Sequence, residues 1–406
     1  MKKMIKSMTF FHVKFCISIS FAFFLFGLYG NKSLAQEASS KSFYTWGLES
    51  LDSINKAYGV PDGKFLYREN YPNDTQYKAD YLGGGTNADR PNPYAYLWPF
   101  SGTLSAHVAL FEASNSSQIK QEIDTRVLPG LANYFDKRVP AGYASYINEA
   151  PVSDRFYDDN IWLGIDLTDL YLLSKEEKYL TQAIEIWKFI LSGKDEKLGG
   201  GIYWCEQRKE SKNTCSNAPA AVLALKLFEA TADSAYFVVG KELYAWTKGS
   251  LMDPEDGLYW DNINLSGKLE KTKHAYNTGQ MIQAAALLYK LTKDDVYLKD
   301  AQRSAIAGYD YFFNKDEEKS DVRMLKNSNV WFIAVMSRGY VELYKVDHNR
   351  EYVDAFQFNL LHAWNNMRDS NGLFAKDWSV KEPSNKKWLL DQFAMVEMYA
   401  RLSDLN

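Results

Sequence analysis

The chain has 406 residues and a formal net charge of −4, with 24% charged and 46% hydrophobic residues. That mildly acidic balance argues against a nucleic-acid or anionic-membrane partner, which would need a basic face. Aromatic residues reach 15%, including 28 Tyr and 11 Trp, a supply suited to stacking on flat, weakly charged ligands such as sugar rings. The length fits two ordinary domains or one large barrel or repeat array.

Lys2, Lys3, Lys6 and Lys14 precede an apolar run from Phe15 to Tyr29, and Ser33-Leu34-Ala35 places small residues at the −3 and −1 positions. This pattern predicts a cleaved secretory signal over 1–35 and an exported protein, periplasmic or extracellular. The apolar run is short for a membrane span, so no membrane attachment is expected once the signal is removed. Its loss takes away five Lys and no acid, moving the net charge from −4 to −9. Residues 36–406 are expected to form one domain and to act as a monomer. Cys16 falls in the signal, whereas Cys205 and Cys215 lie ten residues apart. Export permits disulfides, which makes those two a candidate bridge.

Apolar periodicity predicts helices over 40–57, 98–113, 118–137, 158–173, 176–191, 216–231, 234–248, 276–292, 295–314, 328–345, 349–367 and 388–402. An aromatic residue recurs near the end of every second helix. Phe111 begins a looser copy, and Tyr171, Phe228, Tyr289 and Tyr344 follow at intervals of 57, 61 and 55 residues. Polar turns such as Ser174-Lys175-Glu176-Glu177 and Thr292-Lys293-Asp294-Asp295 come next and suit a helix hairpin. Repeated helix pairs must bury their faces on neighbours, and pairing the first helix with the last closes the array. The expected fold is all-α, an (α/α)6 barrel or toroid of six hairpins, with an open solenoid as the alternative. The Gly-, Asn- and Pro-rich stretch from Pro61 to Pro93 is expected to be a long ordered loop.

The loops joining successive hairpins should emerge at one end of such a ring. They carry Gly199-Gly200-Gly201-Ile202-Tyr203-Trp204, Asp256-Gly257-Leu258-Tyr259-Trp260-Asp261-Asn262 and Asn371-Gly372-Leu373-Phe374. At the same end an inner helix begins with Tyr157-Asp158-Asp159-Asn160-Ile161-Trp162. Adjacent Cα atoms are 3.8 Å apart, so two short Asp side chains hold their carboxyls on the order of 4–7 Å apart. Retaining glycosidases need about 5–5.5 Å and inverting ones roughly 6.5–9.5 Å. Repulsion between neighbouring carboxylates raises one pKa, producing an acid beside a base. The alternative reading of the pair is simple capping of a helix N-terminus. Aromatic faces at Trp98, Tyr203, Trp204, Trp260 and Tyr276 are candidates for stacking on sugar rings. Asn160, Asn217, Asp261, Asn277 and Gln280, with Asn213, are candidates for bonding hydroxyls.

Other chemistries fit less well. His107, His274, His348 and His362 are scattered singly and read as structural, and no metal or cofactor site is expected. Gly83-Gly84-Gly85 and Gly199-Gly200-Gly201 lack the Lys-Ser/Thr of a phosphate loop, and Asp253-Pro254-Glu255-Asp256-Gly257 lacks calcium-loop spacing. No Gly-x-Ser-x-Gly elbow is present.

Five motifs, Tyr157-Asp158-Asp159-Asn160-Ile161-Trp162, Gly200-Gly201-Ile202-Tyr203-Trp204, Lys212-Asn213-Thr214-Cys215-Ser216-Asn217-Ala218-Pro219-Ala220, Asp256-Gly257-Leu258-Tyr259-Trp260-Asp261 and Tyr276-Asn277-Thr278-Gly279-Gln280, follow in this order. The ordered set resembles glycoside hydrolase family 76. The resemblance implies an (α/α)6 barrel and retaining endo-action on α-1,6-linked mannan, the backbone of yeast-type mannan. It also implies that Asp158 is the nucleophile and Asp159 the acid/base. The alternatives are a transglycosylase or a non-catalytic glycan-binding protein on the same scaffold. In every case the partner is a polysaccharide or oligosaccharide.

Overall fold

The computed structural model describes residues 42–74, 76–84, 92–314, 323–380, 386–403 and 405. The expected signal over 1–35 lies outside them. After an opening helix α1 over 42–58, five helices are buried on every side: α2 (Leu97–Ser114), α5 (Tyr157–Ser174), α7 (Thr214–Thr231), α9 (Ala275–Thr292) and α11 (Val330–Asp347). A sixth, α13 (Leu389–Ser403), completes the set. Apolar residues all round a helix require burial all round, and these six form a closed inner ring. Contacts run α2–α5–α7–α9–α11–α13 and from α13 back to α2.

The outer layer is α1, a broken segment, then α6 (Glu177–Leu191), α8 (Ser234–Leu251), α10 (Asp295–Phe312) and α12 (Glu351–Asn366). In α1, Phe43 meets Tyr399 of α13 at 5.8 Å and Trp46 stacks on Trp364 of α12 at 4.6 Å. The first and last helices therefore pair. The fold is the expected all-α (α/α)6 barrel, and the open solenoid is set aside.

Predicted helix ends fall within three residues of the observed ones, with a single exception. The helix expected over 118–137 is α3 (Ser117–Glu122), a π turn (Ile123–Val127) and α4 (Leu128–Ala132). Pro129 supplies no N–H to the helical ladder. Asn133 then ends the segment, its side-chain amide donating to the Pro129 and Gly130 carbonyls. The recurring helix end has a structural cause. At the end of each of α2, α5, α7, α9 and α11 the next residue is left-handed (Asn115, Lys175, Ala232, Lys293 and His348). Its N–H bonds the carbonyl of Phe111, Tyr171, Phe228, Tyr289 or Tyr344. One αL cap, used five times, turns each inner helix into its outer partner.

Where α9 and α11 cross, a Cβ on Gly279 would fall 2.4 Å from the Met336 Cα, and one on Gly339 2.1 Å from the Gly279 carbonyl oxygen. The glycine of Tyr276-Asn277-Thr278-Gly279-Gln280 therefore serves backbone-to-backbone packing. The expected long loop after α1 contains β1 (Asn70–Tyr71) and a 3-10 turn (Asp80–Leu82). It is tied to the far end of the chain by pairing of β1 with Lys387–Trp388. A three-stranded antiparallel sheet stands at the loop end: β4 (Ser211–Asn213), β5 (Trp260–Asn264) and β6 (Leu269–Lys273). Helical periodicity gave no hint of it.

Candidate active site

The inner helices all begin at one end of the ring, where their first turns and the joining loops enclose a cavity of about 340 Å³. α5 brings Asp158, Asp159 and Trp162, and α2 brings Trp98. α7 brings Cys215, α9 Tyr276, and α11 Trp331 and Phe332. The sheet adds Ser211, Asn213, Asp261 and Asn262, and the loop after α1 adds Tyr81 and Leu82.

The position of Trp204 follows from backbone pairing. Phe156 and Cys205 form an isolated bridge, and the Tyr157 N–H donates to the Trp204 carbonyl at 2.9 Å. This lays residues 203–205 along the entry to α5. The Trp204 indole Nε1 then donates to Asp158 Oδ2 at 3.0 Å, and the Cys215 thiol donates to the same oxygen at 3.3 Å. Asp158 Oδ1 is buried without a partner.

Both carboxyls are displaced upward. Burial lifts Asp158 to about 7 against the hydrogen bonds from Cys215 and Trp204, which pull it down. Asp159 is 7% exposed, and burial together with the Asp158 charge pushes it well above the ordinary range. Burial thus outweighs the helix N-terminus, which favours the anion. Asp158 holds two donors and ionises first, and the proton stays on Asp159. Across the cavity Asp261 accepts from Asn262 at 2.8 Å and faces His274 at 4.0 Å. Burial raises Asp261 as well, with Asn262, His274 and Asn277 pulling it back.

Trp98, Asp158, Asp159, Trp204, Asp261 and Tyr276 are thus brought together as expected residues of one cavity. Six other candidates do not line it. Asn160 is fully buried, its Oδ1 accepting from the Tyr143 N–H and its amide donating to the Tyr143 and Phe156 carbonyls. Asn217 repeats that clamp on Ile202 and Asn213. Tyr203 turns outward to Asp195 at 2.8 Å, and the Trp260 indole bonds Asp253 at 3.2 Å. Asn277 and Gln280 are fully buried within α9, and Gln280 bonds Gln283. Polarity nominated these residues; Asn160 and Asn217 use their hydrogen bonds on backbone, whereas the Asn277 side-chain amide and the Gln280 Oε1 are buried without a hydrogen-bond partner among the described residues.

The cysteines are both free and buried. Cys205 faces Gln207 and Cys215 faces Asp158, so the candidate bridge is absent. His274, read as structural from sequence, lines the cavity. Tyr81, Leu82, Phe156, Ser211, Asn262, Trp331 and Phe332 also line it and were not anticipated. For Trp331 the signal available was its place in the first turn of an inner helix, the register of Asp158, Cys215 and Tyr276.

The profile of glycosyl hydrolase family 76 matches residues 70–404. The chain belongs to this family. It is therefore a glycoside hydrolase. A family 76 glycoside hydrolase from a bovine Bacteroides thetaiotaomicron strain shares 32% identity over 89% of this chain and 77% of its own, with a TM-score of 0.80. A family 76 mannosidase from Bacteroides thetaiotaomicron VPI-5482 shares 31% over 91% and 98%, with a TM-score of 0.78. An α-1,6-mannanase from Salegentibacter sp. HEL1_6 shares 25% over 88% and 98%, with a TM-score of 0.69. No curated protein sequence matches the chain significantly. Among the described residues of this family 76 enzyme, no helix is long and apolar enough to cross a membrane.

Proposed function

We propose that this family 76 enzyme is an exported retaining α-mannanase acting on α-1,6-linked mannan, with Asp158 as nucleophile and Asp159 as acid/base. The observation that carries the reading is the asymmetry of the pair. Asp158 receives the Trp204 and Cys215 donors, whereas Asp159 receives neither and feels the charge of Asp158. In the first step Asp158 forms a bond to the anomeric carbon as the glycosidic C–O bond breaks, and Asp159 gives its proton to the leaving oxygen. In the second step Asp159 takes a proton from water, the water attacks the anomeric carbon, and Asp158 is released. Two further features support a neutral sugar. Tyr81, Trp98, Trp204, Tyr276, Trp331 and Phe332 give the cavity aromatic walls, and among the described residues no Lys or Arg lines it. The linkage is supported by the α-1,6-mannanase among its structural relatives.

The test is product analysis on unbranched α-1,6-mannan. Short manno-oligosaccharides released first as the α-anomer are expected, with turnover lost in Asp158→Asn and in Asp159→Asn. Binding without release would turn the reading toward a glycan-binding protein, and products longer than the substrate toward a transglycosylase.

A further inference from the structure

The two oxygens of Asp158 have different surroundings. Oδ2 accepts from the Trp204 indole at 3.0 Å and from the Cys215 thiol at 3.3 Å, and Oδ1 is buried with no partner. Cys215 sits in the first turn of α7, 4% exposed and lining the cavity, and reaches Asp158 across the boundary between two inner helices. We propose that Cys215 is a positioning residue, fixing the orientation of the Asp158 carboxylate through Oδ2 so that it meets the anomeric carbon. The proposal rests on Asp158 being the nucleophile. As the bond from the Asp158 carboxylate to the anomeric carbon forms and the glycosidic bond breaks, the carboxylate becomes an ester, and Asp159 gives its proton to the leaving oxygen.

A thiol suits this position. It is a weak donor, so it orients the carboxylate without quenching its nucleophilicity as a stronger partner would. It also stays protonated, because burial and the charges of Asp158 and Asp261 push Cys215 well up. The groups facing Asp158 are Asp159 on its own helix, Cys215 on α7, Tyr276 on α9 and Asp261 on β5.

The test compares Cys215→Ala and Cys215→Ser with the parent on α-1,6-mannan, as kcat and KM against pH. Removing the donor destabilises the Asp158 anion, so Cys215→Ala should lower kcat about 3- to 30-fold with KM little changed. Its acid limb should move to higher pH, and Cys215→Ser should restore most of both. An unchanged kcat and acid limb in Cys215→Ala would overturn the proposal, as would a loss equal in Ala and Ser. Asp158→Asn run alongside separates the two claims. If it stays active, the assignment of Asp158 is wrong; if it is dead while the Cys215 variants behave as the parent, only the role of the thiol fails.

Discussion

Replacing Asp158 by Asn should abolish turnover and, at neutral to alkaline pH, make the protein more stable. The carboxyl is displaced from an ordinary 3.8 to about 7, chiefly by burial. A group whose folded pKa is raised adds stability when protonated. That contribution is complete below about 3.8, declines as pH rises, and is gone above about 7. At 1.36 kcal/mol per pKa unit, the charged form weakens the native state by roughly 4 kcal/mol at most. Asn keeps an acceptor for Trp204 and Cys215 and carries no charge, but it places an amide where Oδ1 lacks a partner, at a cost of about 1–3 kcal/mol if that amide stays unsatisfied.

The Asn variant should therefore be equal to or less stable than the parent near pH 4 and more stable at pH 8. The difference between the two proteins should change by up to about 4 kcal/mol across that interval. Unfolding entropy scales with length, so a chain of this size shifts by roughly 1–1.5 °C per kcal/mol. Thermal unfolding of both proteins from pH 4 to pH 8 should show Tm of the variant rising relative to the parent by about 4–6 °C. A difference that does not vary with pH, or a variant less stable at pH 8, would refute the idea that the Asp158 charge is held against its surroundings. The pair would then be an ordinary helix cap.

Trp204→Phe removes the indole donor to Asp158 while leaving a ring, and should lower kcat/KM about 10- to 100-fold, with the acid limb of the pH profile shifted upward. Glu69 is buried behind the aromatic wall. It accepts from the Tyr81 hydroxyl, the Trp388 indole and the Tyr96 N–H, and burial holds it at about 6. Glu69→Gln should raise KM for oligosaccharides several-fold with kcat little changed, as measured by steady-state kinetics. Asn217→Ala strands the buried N–H and carbonyl of Ile202 and should cost about 2–4 kcal/mol. Calorimetry should show the loss, and a fall in kcat/KM without a fall in Tm would instead make Asn217 a sugar ligand.

The architecture was legible because it repeats. One αL cap after Phe111, Tyr171, Phe228, Tyr289 and Tyr344 ends each inner helix in the same way, and a repeat of this kind survives in sequence where contacts do not. Adjacency made Asp158 and Asp159 visible for the same reason. The sheet β4–β5–β6 was hidden because its strands are short and polar, and Leu269–Lys273 is largely exposed, leaving no alternating pattern to read. The buried charges were hidden too. Asp166 receives the Ser105 hydroxyl, and Arg338 grips Glu397 through Nε at 2.6 Å and Nη2 at 2.9 Å. These lie inside helices that read as apolar, and each needs a partner from another helix that no local pattern reveals. Asn160 and Asn217 lie off the cavity by the converse logic. They stand at the loop end among the right neighbours, but each has a stretch of backbone to hold that the sequence does not show.

The acidity of the pair shows how far local reasoning reaches. From the hexamer alone, the helix N-terminus should lower both carboxyls, and the flanking Tyr157 and Trp162 are the nearest rings that could oppose it by burial. Trp162 does line the cavity. Tyr157 turns away, stacking on Phe189 at 4.9 Å behind α5. The enclosure of Asp158 comes instead from Trp204, Cys215 and Tyr276, which lie 46, 57 and 118 residues further along the chain. These residues also decide which carboxyl ionises, because two of them favour the charged form of Asp158 and neither donates to Asp159. Adjacency makes a pair of acids. The difference between them is a property of the closed ring, which brings the first turns of α5, α7 and α9 side by side and lays the Trp204 loop across them. A barrel opened between α5 and α7 would retain both carboxyls and lose the asymmetry on which their chemistry depends.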